Sequence, residues 1–190
     1  MRFVIVPGID GSDEDHWQSA WERELGPAAV RIEPSSWSEP DPADWSAALD
    51  RCVPADGPSL LIAHSLGCHA VAHWSARPGW SDPGVLGAVL VAPPDPAGPA
   101  FPAAAAGFAT LPAAPLPYPG LVVASDDDPY ATPAATADLA AGWGVPVVSM
   151  GRAGHLNSAS RLGRWPAGQA LVTAFRAGLR GRPRPPAPGP

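Results

Sequence analysis

The sequence predicts an α/β protein whose mostly parallel sheet carries helices on both faces. Three observations predict it. Short apolar runs alternate with stretches of helical spacing along the 190 residues, the order of repeated βαβ units. The longest apolar run, Val85 to Ala92, is continuous, as in a central parallel strand covered on both faces. Loops bearing serine, aspartate and histidine follow the third, fifth and sixth candidate strands, at the end of a parallel sheet where sites form.

Phe3 to Val6 opens the chain as a buried strand. The loop Pro7-Gly8-Ile9-Asp10-Gly11-Ser12 leads to a helix from about Glu14 to Leu25, and Ala28 to Ile32 is a weaker strand. Asp41 followed by Pro42 marks a helix start, a capping acid with proline at the first helical position. Trp45, Leu49 and Val53 then lie near helical spacing. Ser59 to Ala63 is the next strand and Leu66 to Ser75 the next helix, with Leu66, Ala70, Val71 and Trp74 on related turns. After Val85 to Ala92 come a strand at Leu121 to Ala124, a helix at Ala134 to Trp143, a strand at Val145 to Ser149 and a helix at Arg161 to Leu179. Right-handed crossovers limit the topology such a series can take. Residues 93–119 interrupt the alternation with proline and alanine, and two forms suit them: a small cap over the strand ends or a long surface loop.

This length fits one domain over residues 1–180. Residues 181–190 hold five prolines and two arginines with no apolar anchor, a composition that predicts a disordered tail. A hydrophobic content of 46% argues against disorder of the whole. All 12 basic residues are arginine, which with abundant alanine, glycine and proline suits a GC-rich bacterial genome. Residues 1–179 set nine arginines against 18 acids, a balance of −9. Such a body has no electrostatic footprint for nucleic acid, and no basic amphipathic stretch suggests a membrane surface. The two cysteines, Cys52 and Cys68, form neither a disulfide framework nor a zinc pattern. The first apolar run is too short for a signal peptide, so a cytoplasmic protein is expected, as monomer or homodimer.

The chemistry begins at Ala63-His64-Ser65-Leu66-Gly67. A nucleophile elbow reads G-x-S-x-G, and here alanine stands at the first glycine. Taken alone, Ser65 suits a helix N-cap slightly better than a nucleophile. The strand before it, the helix after it and the small residues flanking it shift that balance. Downstream, Ser125-Asp126-Asp127-Asp128-Pro129-Tyr130 and Gly151-Arg152-Ala153-Gly154-His155 follow later strands. The order Ser, Asp, His is that of the α/β-hydrolase triad. A serine hydroxyl needs a base to become a nucleophile, histidine serves as one near neutral pH, and a carboxylate orients the imidazole. Asp126, Asp127 and Asp128 are all within reach, with Asp128 preferred to Asp126. The oxyanion needs two N–H donors; one comes from the residue after the nucleophile, Leu66, and the other from the loop after the first strand, here Ile9. His69 and His73 share a helix face at metal-ligand spacing but lack a zincin's glutamate, so they read as packing or surface histidines. Cys68 has no base to make it a thiolate. Asp10 and Asp15-His16-Trp17 read as loop braces, and no metal or cofactor is expected.

These pieces together resemble the small single-domain serine hydrolases related to the retinoblastoma-binding serine hydrolase. The resemblance rests on Pro7-Gly8-Ile9-Asp10-Gly11-Ser12, His16-Trp17, Ala63-His64-Ser65-Leu66-Gly67, Ser125-x-x-Asp128-Pro129-Tyr130 and Gly154-His155-Leu156-Asn157. It implies a compact α/β-hydrolase fold with a six-stranded sheet and no large lid, and it moves the choice of acid firmly to Asp128. Ala63 and the Pro/Arg tail depart from the family pattern. The implied function is a carboxylesterase-like serine hydrolase acting on a small-molecule acyl substrate through an acyl-enzyme. The competing expectations are a catalytically silent module of the same fold that binds a protein partner, and a thiol or metal enzyme using Cys68, His69 and His73.

Overall fold

The computed structural model describes residues 1–54, 57–81, 84–112 and 114–180; the predicted tail at 181–190 lies outside them. Six parallel strands form one sheet: β1 (Arg2–Val6), β2 (Ala29–Arg31), β3 (Ser59–His64), β4 (Val85–Val91), β5 (Gly120–Ala124) and β6 (Val147–Ser149), in the order β2-β1-β3-β4-β5-β6. The sheet predicted as mostly parallel is parallel at every pairing described.

Successive side chains of a strand point to opposite faces, and this alternation divides the core in two. Val4, Val6, Leu61, Ala63, Leu90 and Val122 face α2 (Pro42–Cys52), α3 (Leu66–Ser75) and α4 (Pro133–Trp143), with Trp45, Trp74 and Trp143 packed among them. Phe3, Ile5, Leu60, Ile62, Val89 and Val123 face α1 (Trp17–Leu25) and α5 (Pro166–Arg180), with Trp17, Trp21 and Trp165. Burying each Leu or Ile of β3 contributes about 2 kcal/mol, and all six residues of that strand are buried. No helix among the described residues is long and apolar enough to cross a membrane.

Helix starts follow local chemistry. The Asp41 carboxylate accepts from the N–H groups of Ala43 and Asp44, both at 2.9 Å, with Pro42 at the first helical position. Thr132 caps α4 in the same way, ahead of Pro133. Two helix starts lie three or more residues from expectation. Helix α1 begins at Trp17 instead of Glu14 because His16 is the cap, its Nδ1 accepting from the Gln18 N–H at 3.1 Å. Helix α5 begins at Pro166 instead of Arg161 because Arg161, Gly163 and Trp165 all take positive φ, which no helix accommodates.

The segment 93–119 is neither a free loop nor a detached cap. Its one regular piece among the described residues is a 3₁₀ stretch at Ala103–Phe108, and Ala105, Phe108 and Tyr118 are buried in the α2/α3/α4 core. Fully buried His69 of α3 ties it down through Nε2, 2.9 Å from the Pro94 carbonyl oxygen. That fastening fits the packing reading of His69.

The register brings the strand ends level. Val6 pairs with Ala63, His64 with Val91, and Val91 with Val123. The chain runs outward from β1 to β2 and then resumes at β3 on β1's other side, so the strand order reverses at the β1/β3 boundary, where a parallel sheet opens its crevice.

Candidate active site

Ser65 stands at that boundary, between the last residue of β3 and the first of α3. Its backbone takes φ 53 and ψ −126, a region that a non-glycine residue occupies only under strong constraint. The constraint is close packing. A Cβ on Gly67 would lie 2.3 Å from the Val6 carbonyl oxygen, and one on Gly8 would lie 2.8 Å from Ser65 Cβ. The second glycine of the motif is therefore obligatory. Position 63 is a fully buried strand residue paired with Val6 and Leu90, and it accepts an alanine. Although Ser65 occupies the N-cap position of α3, its hydroxyl makes no capping bond.

That hydroxyl meets His155 instead. Nε2 of His155 lies 2.9 Å from Ser65 Oγ, and Nδ1 lies 2.9 and 3.0 Å from the two Asp128 oxygens. Nδ1–H donates to the carboxylate, which leaves Nε2 to accept from the serine hydroxyl. His155 and the Asp128 side chain are buried, and the Tyr130 ring packs on the imidazole at 4.4 Å between centroids. Three residues from three separate loops thus converge.

The other two acids have separate tasks. Asp127 Oδ1 accepts from the Gly154 N–H at 2.8 Å and from Ser125 Oγ at 2.9 Å, while Ser125 Oγ accepts from the Ala153 N–H at 2.9 Å. Asp127 therefore holds the backbone just before His155, and these donors keep its carboxyl below the usual range. Asp126 accepts from Ser149 Oγ at 2.6 Å, at the end of β6.

Ile9 and Leu66, the expected N–H pair, both line the cavity that holds Ser65 and His155. Neither N–H meets a backbone acceptor among the described residues. The Leu66 N–H belongs to the first turn of α3, where helical donors are unfilled and the helix dipole favours negative charge. The cavity measures about 370 Å³; its apolar lining includes Ile9, Leu66, Pro94, Pro102 and Tyr130, and its polar lining Asp10, Asp13, His16 and Asn157. A second depression, of about 270 Å³ by the starts of β1 and β3, gathers no nucleophile or base.

The sequence pattern does not reveal how the loop bearing His155 is held from behind. His64 Nε2 lies 3.0 Å from the His155 carbonyl oxygen, and Trp17 Nε1–H donates to the Leu156 carbonyl oxygen at 2.7 Å. Both residues stood inside quoted motifs, but a main-chain acceptor ninety residues or more away leaves no trace in a local pattern. Cys68 is buried with its thiol donating to the Val91 carbonyl oxygen at 3.4 Å, and burial pushes that thiol well above its ordinary range, which disfavours a thiolate.

Burial likewise lowers four histidines: His16 and His69 to about 4, His64 well below 6.5, and His73 below its ordinary value. The unfolded chain takes up these protons near pH 6.5. Below that value the unfolded state binds more protons than the folded one, so stability falls as pH drops from about 6.5 toward about 4. Urea midpoints at pH 7, 6 and 5 should decline in that order; a flat series would contradict the burial of neutral histidines.

A family model described as serine hydrolase matches residues 3–174. Among solved structures, the chain is similar to a YdeN-like hydrolase from Pectobacterium atrosepticum, with 33% identity over 94% of this chain and 91% of that one and a TM-score of 0.80. The ydeN gene product of B. subtilis shares the fold at 18% identity, covering 93% of this chain and 100% of that one, with a TM-score of 0.70. The esterase domain of a Rhodothermus marinus protein shares it at 19% identity, covering 93% and 87%, with a TM-score of 0.64. No curated protein matches the sequence. With its α/β-hydrolase architecture and a family match over nearly the whole chain, the protein belongs to the serine hydrolase family.

Proposed function

We propose that the protein hydrolyses a small, uncharged carboxylic ester through a Ser65-His155-Asp128 triad and a covalent acyl-enzyme. The observation that carries this reading is His155 bridging Ser65 Oγ at 2.9 Å and the Asp128 carboxylate at 2.9 Å. Ser65 Oγ attacks the ester carbonyl carbon while its proton passes to His155 Nε2. Asp128 holds the ring in the tautomer that accepts there and stabilises the imidazolium that results. The N–H groups of Ile9 and Leu66 donate to the oxyanion. His155 returns the proton to the leaving alkoxide, the C–O bond breaks, and an alcohol departs. Water, deprotonated by the same nitrogen, then adds to the acyl carbon and releases the acid from Ser65.

The cavity supports this choice of substrate size and charge. At about 370 Å³ it lies near the lower end of ligand pockets, which suits a short acyl chain. Its lining includes Asp10 and Asp13 and no arginine, so a substrate carboxylate or phosphate finds no cation there and meets like charge.

The test is pre-steady-state hydrolysis of p-nitrophenyl acetate and butyrate. An acyl-enzyme route predicts a burst of p-nitrophenol matching the enzyme concentration, with turnover of butyrate exceeding that of a long-chain ester. Failure of every short ester to turn over above the buffer rate would refute the reading.

A further inference from the structure

We infer that His64 is a positioning residue for His155: its ring N–H fixes the main chain of the base so that the imidazole stays between Ser65 and Asp128. This rests on the triad proposed above. His64 ends β3, immediately before the nucleophile, and is buried at 4% exposure. Its Nε2 lies 3.0 Å from the carbonyl oxygen of His155. A carbonyl only accepts, so Nε2 carries the proton, and the buried ring stays neutral with Nδ1 bare.

The bond has a definite mechanical task. His155 lies between two residues of positive φ, Gly154 at 59° and Leu156 at 50°. For leucine that conformation is sparsely populated and persists only when its surroundings over-determine it. Here two consecutive carbonyls are gripped by buried ring N–H groups. His64 takes that of His155 and Trp17, at 2.7 Å, takes that of Leu156. The nucleophile and the base are thereby joined twice, through Ser65 Oγ and through the residue before it. A neutral ring also suits the place, since the His64 and His155 rings lie 5.0 Å apart and a second cation there would oppose the imidazolium formed in catalysis.

The experiment compares His64→Leu with His64→Gln. Glutamine can set an amide N–H near the place of imidazole Nε2 and donate to the same carbonyl; leucine cannot. Two readouts separate positioning from mere support: the second-order rate of phosphonylation of Ser65 by a fluorophosphonate, and the downfield proton resonance of the His155–Asp128 hydrogen bond. His64→Leu should label roughly 10- to 100-fold more slowly, the loss that a displacement of about 1 Å produces, with the downfield resonance weakened. His64→Gln should recover to within about fivefold of wild type, the factor that one neutral hydrogen bond is typically worth. If His64→Leu does not fold, His64→Asn, polar but too short, takes its place with the same expectation. Labelling at the wild-type rate in the leucine or asparagine variant, or equal slowing in the glutamine variant, overturns the inference. Wild type that fails to label at Ser65 would overturn the triad itself and this inference with it, whereas labelled wild type with an indifferent His64→Leu overturns the inference alone.

Discussion

Ser65→Ala will lower kcat/KM for a short p-nitrophenyl ester by on the order of 10⁵-fold, the scale on which a serine nucleophile's loss is felt when the rest of its site is intact. Its fold should survive. The Ser65 hydroxyl makes its one described contact with His155 and caps no helix, while the strained turn is held by backbone packing around Gly8 and Gly67. Thermal unfolding should therefore shift by only a few degrees, a change of about 1 kcal/mol. Kinetics and unfolding measured on the same preparation separate the two effects. Retention of more than about one hundredth of the activity would be incompatible with a covalent role for Ser65.

Asp128→Asn will lower kcat by about 10⁴-fold with far less change in KM, because the amide neither enforces the tautomer nor stabilises the imidazolium. The neighbouring acids supply the control. Asp127→Asn weakens the hold on Gly154 and Ser125 and should cost about tenfold through displacement of the base loop. Asp126→Asn alters only the bond to Ser149 and should leave turnover unchanged. Steady-state kinetics on the three variants will rank them. A larger loss at Asp127 than at Asp128 would reassign the carboxylate.

The fold was legible because it depends on periodicity and punctuation. Continuous apolar runs such as Val85–Val91 and β3, and caps such as Asp41-Pro42, are local signals whose meaning tertiary context did not alter. The candidate site was legible for a different reason. A parallel sheet brings its strand ends to one edge, so Ser65, Asp128 and His155 could be placed together without knowing any contact. Less was visible in the row Asp126-Asp127-Asp128, where the three side chains diverge to Ser149, to the Gly154 backbone and to His155. Their partners are set by the turn's path, which no spacing rule encodes. Ala63 looked like a defect in the motif, yet the close contacts fall at Gly67 and Gly8. Residues 93–119 were ambiguous because their packing on α3 runs through Phe108, which lies in no periodic segment, and through a buried His69 whose partner, the Pro94 carbonyl, leaves no mark in the helical pattern.

The most direct measurement is mass spectrometry of the protein after reaction with a fluorophosphonate, with the adduct mapped by peptide sequencing. A single adduct on Ser65 is expected in the wild type, no adduct in Ser65→Ala, and strongly slowed modification in His155→Ala. An unmodified wild type, an adduct on another residue, or equal labelling of Ser65→Ala would contradict it.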